Sequence, residues 1–442
     1  MSLPRYPEYK DSGVEWLGEV PSHWAVRKFR HAFQESSEKI DGDVFGPMLS
    51  VSGYRGIEIK DYDDENRRRT DEELQGYRIV RPGQLVVNTM WLNYAGLGVS
   101  PHEGHVSPAY RAYSISEDLE PRFVHHMMRS GEFVKGYTKF LTGIRPNSLQ
   151  MSRDDLMEFR LAEPPRDEQA SIADFLDRET ARIDALIAEQ ETLLALLAEK
   201  RQATISHAVT RGLDPNVPMK DSGIAWLGEV PAHWEIVKIG SLLTALGDVD
   251  HFMPPSVDQG VPYLMTGDLK ECASDVSFED CKNVSREDYL QLSRRIKCSK
   301  GDVIMARYAT IGTVMYVDID IDFLVSYSCV TLKPDCSKVS GTYLFHFMKS
   351  DAFMQGLESQ INTNTQGNVG ISGLKGVVVA TPPVEEQASI VNVVTATIER
   401  IDKLKAESDY VISLLKERRS ALISAAVTGQ IDVRGLVSEE AT

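Results

Sequence analysis

Two phrases in this chain are written twice, and that duplication restricts the fold more than any other feature. "KDSGVEWLGEVPSHW" runs from Lys10 to Trp24, and "KDSGIAWLGEVPAHW" runs from Lys220 to Trp234. A longer block, "PPRDEQASIADFLDRETARIDALIAEQETLLALLAEKRQATISHAVTRGLD", begins at Pro164. Its partner, "PPVEEQASIVNVVTATIERIDKLKAESDYVISLLKERRSALISAAVTGQID", begins at Pro382 and aligns without a gap. Self-similarity on this scale means that one structural unit is built twice. The intervening stretches, about 25–160 and 235–380, share only a skeleton. Gly83 in "RPGQLVVNTM" matches Gly301 in "SKGDVIMARY", and "FVHHMMRSGEF" echoes "YLFHFMKSDAF". The order predicts a tandem pseudo-dimer.

The long blocks read as helices. Asp167 and Glu168 follow Pro164–Pro165, where acidic groups suit the positive end of a helix dipole. Apolar residues recur at Ile172, Leu176, Ile183, Leu186, Leu193, Leu197 and Ile205, and again at Ile390, Val394, Ile401, Leu404, Val411, Leu415 and Leu422. Steps of three, four and seven favour a coiled-coil seam. Some 40 residues at 1.5 Å each would make a rod of about 60 Å. Two unrelated amphipathic helices, each on its own domain, are the alternative. The variable stretches alternate short β-rich runs such as "GQLVVNTMWL" and "GDVIMARYAT" with helical ones, so each reads as α+β.

The chain has 442 residues and a net charge of −17, which argues against a protein that simply wraps DNA. The acidity is uneven: residues 25–160 carry 19 Lys and Arg against 20 Asp and Glu, and residues 161–234 carry 7 against 13. A local DNA-binding face, or one shared with a basic partner, stays open. Five cysteines without a C-x-x-C pair read as reduced thiols. "HEGH" at His102–His105 lacks the spacing of a zinc-binding helix, so no metal is expected. No apolar run is long enough for a membrane span, and "MSLPRYPEYK" lacks an apolar signal region, which makes a cytoplasmic protein the expectation. Phosphate loops, dinucleotide fingerprints and nucleophile elbows are all missing from the sequence, and no catalytic constellation is read in it.

The repeated "DSG-x-x-WLGEVP-x-HW", the repeated "PP-x-x-EQ" opening a long helix, and two dissimilar units between them resemble the specificity subunit of type I restriction–modification systems. The resemblance covers essentially the whole chain. It implies an α+β fold with two globular target-recognition domains joined by two long helices in an antiparallel coiled coil, a pseudo-twofold tandem repeat. The expected parts are recognition domain 1 at 1–160, a spacer helix at 161–218, recognition domain 2 at 219–380 and a second spacer helix at 381–442. It also implies a non-catalytic subunit that reads a bipartite double-stranded DNA site. Two methyltransferase subunits and the motor-nuclease subunits would assemble on it, holding S-adenosylmethionine, ATP and Mg themselves. A coiled-coil scaffold joining protein-binding domains, without DNA readout, is the alternative.

The resemblance places recognition loops before each long helix. "INTNTQGNVGISGL" matches the family's Thr-Gln-x-Asn pattern at Thr365, Gln366 and Asn368, beside Asn364. "TGIRPNSLQMSRDDL" departs from it and offers Arg145, Asn147, Ser148 and Gln150. A second loop follows the Gly-led strand: Arg307 and Tyr308 in one unit, and Asn88, Trp91 and Asn93 in the other. Arg can fork onto guanine, and Asn or Gln can pair with adenine, at about 1–3 kcal/mol of discrimination each. Arg67, Arg68 and Arg69 could clamp phosphates or form a solvated, self-paired loop. Trp16, Trp24, Trp226 and Trp234 are expected to pack where each recognition domain meets the helices. Exposed tryptophans stacking on bases are the sharper alternative, although identical residues are poor tools for reading two different sequences.

Overall fold

The protein is described from a computed structural model that covers residues 3–53, 55–61, 69–143, 149–362 and 367–436. The chain divides into two compact units, Met1–Gln190 with Asp409–Thr442, and Glu191–Ser408. Both boundaries fall inside the long helices, because each helix end packs into a different globular core.

In the first unit the central sheet is antiparallel, in the order Phe33–Glu35, Arg111–Ile115, Leu85–Val87, Leu97–Val99. Ala25–Lys28 pairs with Arg160–Glu163, bringing the two ends of the globular part together just before the first long helix. The hairpin Leu49–Ser52 with Gly56–Ile59 and the strand Arg78–Val80 lie between the first two sheet segments of the chain, and Arg78–Val80 pairs with Gly104–Val106, which precedes the last one. Helices Pro121–Arg129 and Gly131–Thr138 follow the sheet.

The second unit repeats the plan. Its sheet orders Leu243–Gly247, Cys329–Pro334, Val303–Ala306 and Val314–Tyr316, and Glu235–Lys238 pairs with Val378–Thr381. Helices Gly341–Met348 and Asp351–Glu358 follow it. The difference lies in the same two intervals, before the second sheet segment of the chain and before the last. Here Val261–Leu264 pairs antiparallel with Lys282–Val284 and parallel with Leu324–Val325. A shared sheet thus carries unlike insertions.

The first long helix is Arg166–Arg211 and the second is Val384–Val427. Neither contains Gly or Pro, and each ends at a left-handed glycine, Gly212 (φ 75°) or Gly429 (φ 74°), a conformation that a Cβ disfavours. The repeated Gln anchors each start. The buried Gln169 amide accepts from the Glu120 N–H (2.8 Å) and donates to the Pro164 carbonyl (2.9 Å). Gln387 accepts from the Ser340 N–H (2.8 Å) and donates to the carbonyls of Lys338 and Pro382.

Within each unit, segments of the two helices run antiparallel. In the first, Ile172 and Leu176 share a core with Ile423 and Val427, and farther along Asp184 pairs with Arg419 at 2.9 Å. In the second, Arg201 pairs with Asp402 at 3.6 Å, and Ile205 and Val209 share a core with Ile390 and Val394. The buried stripe differs from a strict heptad. Leu186, Leu193, Leu404 and Val411 are about 40% exposed, whereas Ile187 and Ile412 are buried. A straight helix turns once per 3.6 residues, so a seven-residue count drifts off the buried face near mid-helix.

Candidate nucleic-acid interface

In each unit a buried strand delivers the chain to a turn, and that turn meets the hairpin leading toward the long helix. In the first unit the Met151 N–H donates to the Thr89 carbonyl (3.2 Å); in the second the Val369 N–H donates to the Arg307 carbonyl (3.1 Å). The two bonds lie at equivalent positions, related by the repeat offset of 218, so the two loop classes converge in the same way twice. The turns carry a positive-φ alanine, Ala95 (φ 54°) and Ala309 (φ 57°), a strained choice for a residue with a Cβ.

The side chains offered by these loops differ between the units. In the first, Trp91 and Tyr94 stand 55% and 57% exposed with ring centroids 5.9 Å apart. Asn93 lies between them, its Oδ1 buried without a hydrogen-bond partner. Asn88 is buried, accepting from the Met90 N–H at 3.2 Å, so it shapes the turn from inside. Gln150 is exposed, its main chain bridged to Thr142. Arg69 is exposed, with its guanidinium 5.6 Å from the Tyr77 ring. Arg67, Arg68, Arg145, Asn147 and Ser148 lie outside the described residues.

In the second unit Tyr308 is half-buried and bridges to Asn368 through the main chain. Arg307 faces inward. It donates to Asp248 Oδ2 at 2.5 Å and to the Tyr327 carbonyl at 3.3 Å, while Arg295 reaches the other Asp248 oxygen at 3.0 Å. A guanidinium committed in this way fixes the loop and is not presented to a ligand. Phe252 and Met253, beside that network, are 47% and 42% exposed. Asn364, Thr365 and Gln366 lie outside the described residues.

The sequence reading missed Tyr94 and Arg129. The Arg129 guanidinium donates to the carbonyls of Leu97 (2.5 Å), Gly53 (2.9 Å), Ser52 (3.2 Å) and Ala95 (3.2 Å), pinning the exposed turn to its neighbour. The Trp-x-x-Tyr spacing was a usable signal for Tyr94. Nothing local marks Arg129, whose partners are all carbonyls distant in sequence.

Residues 231–411 match the family model described as type I restriction modification DNA specificity domain. The chain carries a type I restriction–modification DNA specificity domain. That domain includes Arg307, Tyr308 and Asn368 and the whole of the second unit's sheet. Similar proteins include the EcoKI specificity subunit of Escherichia coli, 24% identical over 70% of this chain and 65% of its own length. The EcoBI specificity subunit of the same species is 22% identical over 72% and 67%. This chain therefore spans about two thirds of the length of those subunits. A putative specificity subunit (MjaX) of Methanocaldococcus jannaschii is 20% identical over 95% and 96%. Among solved structures, a chain from a type I R-M system superposes with TM-score 0.69 at 15% identity, covering 92% of this chain and 98% of that one. The HsdS subunit of Thermoanaerobacter tengcongensis superposes at 0.51 and 16%, over 93% and 98%. These likenesses show the fold. The family model, these relatives and these solved structures are thus all of type I restriction–modification systems.

The joints of the specificity domain and of its counterpart are built alike. Trp24 is fully buried and donates its indole N–H to Glu168, in the first turn of the first long helix, while Trp234 donates to Glu386 of the second at 3.1 Å. Trp16 stacks on Phe159 (5.0 Å) and covers Gly136; Trp226 covers Gly356. No helix among the described residues is long and apolar enough to cross a membrane.

Proposed function

We propose that this chain is the non-catalytic DNA-reading subunit of a type I restriction–modification complex, each unit reading one half of a bipartite, asymmetric site. The observation that supports this reading is the repeated convergence of two loops, at Thr89–Met151 and Arg307–Val369, on one sheet plan with unlike side chains. A duplicated scaffold with different surface residues is what two different half-sites require. Exposed aromatics can stack on or wedge against bases, Gln150 can pair with adenine, and Lys or Arg nearby can set the register through phosphates.

Two methyltransferase subunits and the motor-nuclease subunits would assemble on the chain and supply the chemistry. S-adenosylmethionine, ATP and Mg would be held by those partners. With a net charge of −17, the subunit alone is expected to hold DNA weakly and to rely on its partners for part of the phosphate contact. The long helices would set the number of unread base pairs between the half-sites, with centres about one helical turn, roughly 10 bp, apart.

Co-expression with the neighbouring methyltransferase and genome-wide mapping of adenine methylation tests the reading. One split motif is expected, and exchanging residues 25–160 should change one half of it. Inserting four residues near Ala195 should lengthen the unread stretch and leave both halves unchanged. Absence of methylation together with absence of DNA retention would refute the proposal.

A further inference from the structure

The end of the first unit's sheet that carries the Trp91 turn gathers three arginines around one carboxylate. Glu35 ends its strand opposite Tyr113, and Arg111 opens the neighbouring strand opposite Val87, the residue before Asn88. Glu35 Oε1 accepts from Arg111 Nη1 at 3.0 Å, with the buried Arg78 at 3.6 Å. The other oxygen, Oε2, accepts from Arg153 Nε at 3.2 Å. Arg153 stands two residues beyond Met151, whose N–H is bonded to Thr89 at the start of the Trp91 turn.

The three guanidiniums are not placed alike. Arg78 is buried and Arg111 half-buried, whereas the Arg153 side chain is 61% exposed. Its Nε is taken up by Glu35, and among the described residues neither of its terminal Nη nitrogens has a hydrogen-bond partner. A guanidinium held through Nε keeps one free edge with two parallel N–H donors. The second unit lacks this arrangement. Gly247 lies opposite Thr331 there as Glu35 lies opposite Tyr113. The residues 218 positions beyond Arg78, Arg111 and Arg153 are Ile296, Cys329 and Ile371. A Cβ on Gly247 would meet Ile296 at 3.6 Å, so apolar packing takes the place of the ion cluster.

We infer that Arg153 reads a guanine in the half-site of the first unit, with Glu35 as its positioning residue, and that the second unit makes no such contact at this place. The inference rests on the reading of the chain as a DNA-reading subunit. Guanine is the base whose major-groove edge offers two neighbouring acceptors, O6 and N7, to a two-donor fork; adenine sets a donor beside its acceptor. Three guanidiniums against one carboxylate leave this corner positive, which suits the approach of a duplex. A phosphate would be met by any mobile cation, whereas an exposed arginine whose plane is fixed through Nε supplies what a base edge requires.

Methylation by the complex co-expressed with its methyltransferase tests this, on duplexes carrying the mapped motif. Each guanine, in either strand, of the half that changes when residues 25–160 are exchanged is replaced in turn by 7-deazaguanine, which lacks the N7 acceptor. The parent should slow roughly tenfold or more at one of these positions. Arg153→Lys keeps the charge without the fork and, being exposed, should melt like the parent. It should methylate the intact duplex roughly tenfold more slowly and lose the distinction at that position. Glu35→Gln, with Arg153 unaltered, should lose the same distinction, a readout that destabilisation alone would not move. No guanine in that half, or no position at which the parent and Arg153→Lys differ, overturns the inference. Equal weakening by Arg153→Ala on every duplex, with full activity in Arg153→Lys, overturns it in favour of a phosphate contact. A parent that methylates no split motif takes the proposed function down as well; a motif whose guanines are read without Arg153 sinks this inference alone.

Discussion

Trp24 donates its indole N–H to Glu168 across 2.9 Å and 144 residues of sequence. The same carboxylate accepts from the Tyr6 hydroxyl (2.5 Å) and meets His23 Nε2 at 2.7 Å. In the second unit Glu386 repeats the arrangement with Trp234 and His233. The "HW" that ends one repeated phrase and the Glu of "PP-x-x-EQ" in the other are therefore two halves of one joint.

Glu168→Ala should destabilise the first unit by about 3 kcal/mol, since three groups around a buried carboxylate lose their common partner. Glu386→Ala should cost less, because its side chain is 29% exposed against 5% for Glu168. Native-state hydrogen exchange, which separates the units, reads both; equal losses would contradict the burial argument.

Gly136→Ala and Gly356→Ala should each cost about 1–3 kcal/mol by overpacking. An added Cβ would lie 2.8 Å from the Trp16 ring, or 2.7 Å from the Trp226 ring. Denaturant midpoints measure this, and Trp16→Leu should restore much of the loss in Gly136→Ala.

Trp91→Ala should leave the melting temperature unchanged, because the ring is more than half exposed. In the assembled complex it should weaken DNA binding by about 1–3 kcal/mol if the ring stacks on a base. Competition with duplexes altered in one half-site would show which half the loss belongs to.

Arg307→Ala should destabilise the second unit by about 3–5 kcal/mol, the usual penalty for stranding one member of a buried ion pair. Arg307→Lys should recover only part of this, since a lysine cannot reach Asp248 and the Tyr327 carbonyl in the same fork. Thermal denaturation of the two variants makes the comparison.

Acid should weaken both units through two histidines, the half-buried His125 and the buried His346. Burial and the Arg129 charge lower His125 to about 3, and burial with Lys349 lowers His346 to about 4. The unfolded chain takes up these protons near pH 6.5 and the folded chain does not, so stability is full above that pH. It falls as pH drops toward 4, by up to about 1.4 kcal/mol per unit for each group. His125→Phe, which copies Phe345 of the other unit, should flatten the slope for the first unit in denaturation series between pH 7 and 4.5.

The long helices, the tandem plan and the joints were legible in the sequence because they depend on repeated words. The sheet was legible only in outline, from Gly83 and Gly301 in matching runs. Side-chain direction was the part that sequence reasoning could not reach. Asn88 and Arg307 occupy the expected loops yet turn inward, because Met90 and Asp248, residues no pattern links to them in advance, satisfy them there. Trp91 sits three residues beyond Asn88 and turns out. The strand's alternation sets that direction only up to the turn, after which the local hydrogen bonds decide.

The Asp432 N–H donates to the Pro4 carbonyl at 2.8 Å, and the Tyr9 hydroxyl donates to the Gly429 carbonyl at 3.0 Å. By the repeat offsets of 210 and 218, Pro4 and Asp432 both correspond to a single residue of the other unit, Asp214. What one unit holds by a covalent run of chain, the other holds by hydrogen bonds. The order of the repeats along the chain is therefore circular with one seam, and the seam is movable: splicing residues near 436 to those near 4 and opening the chain at Asp214 would yield a circular permutant with the same joints.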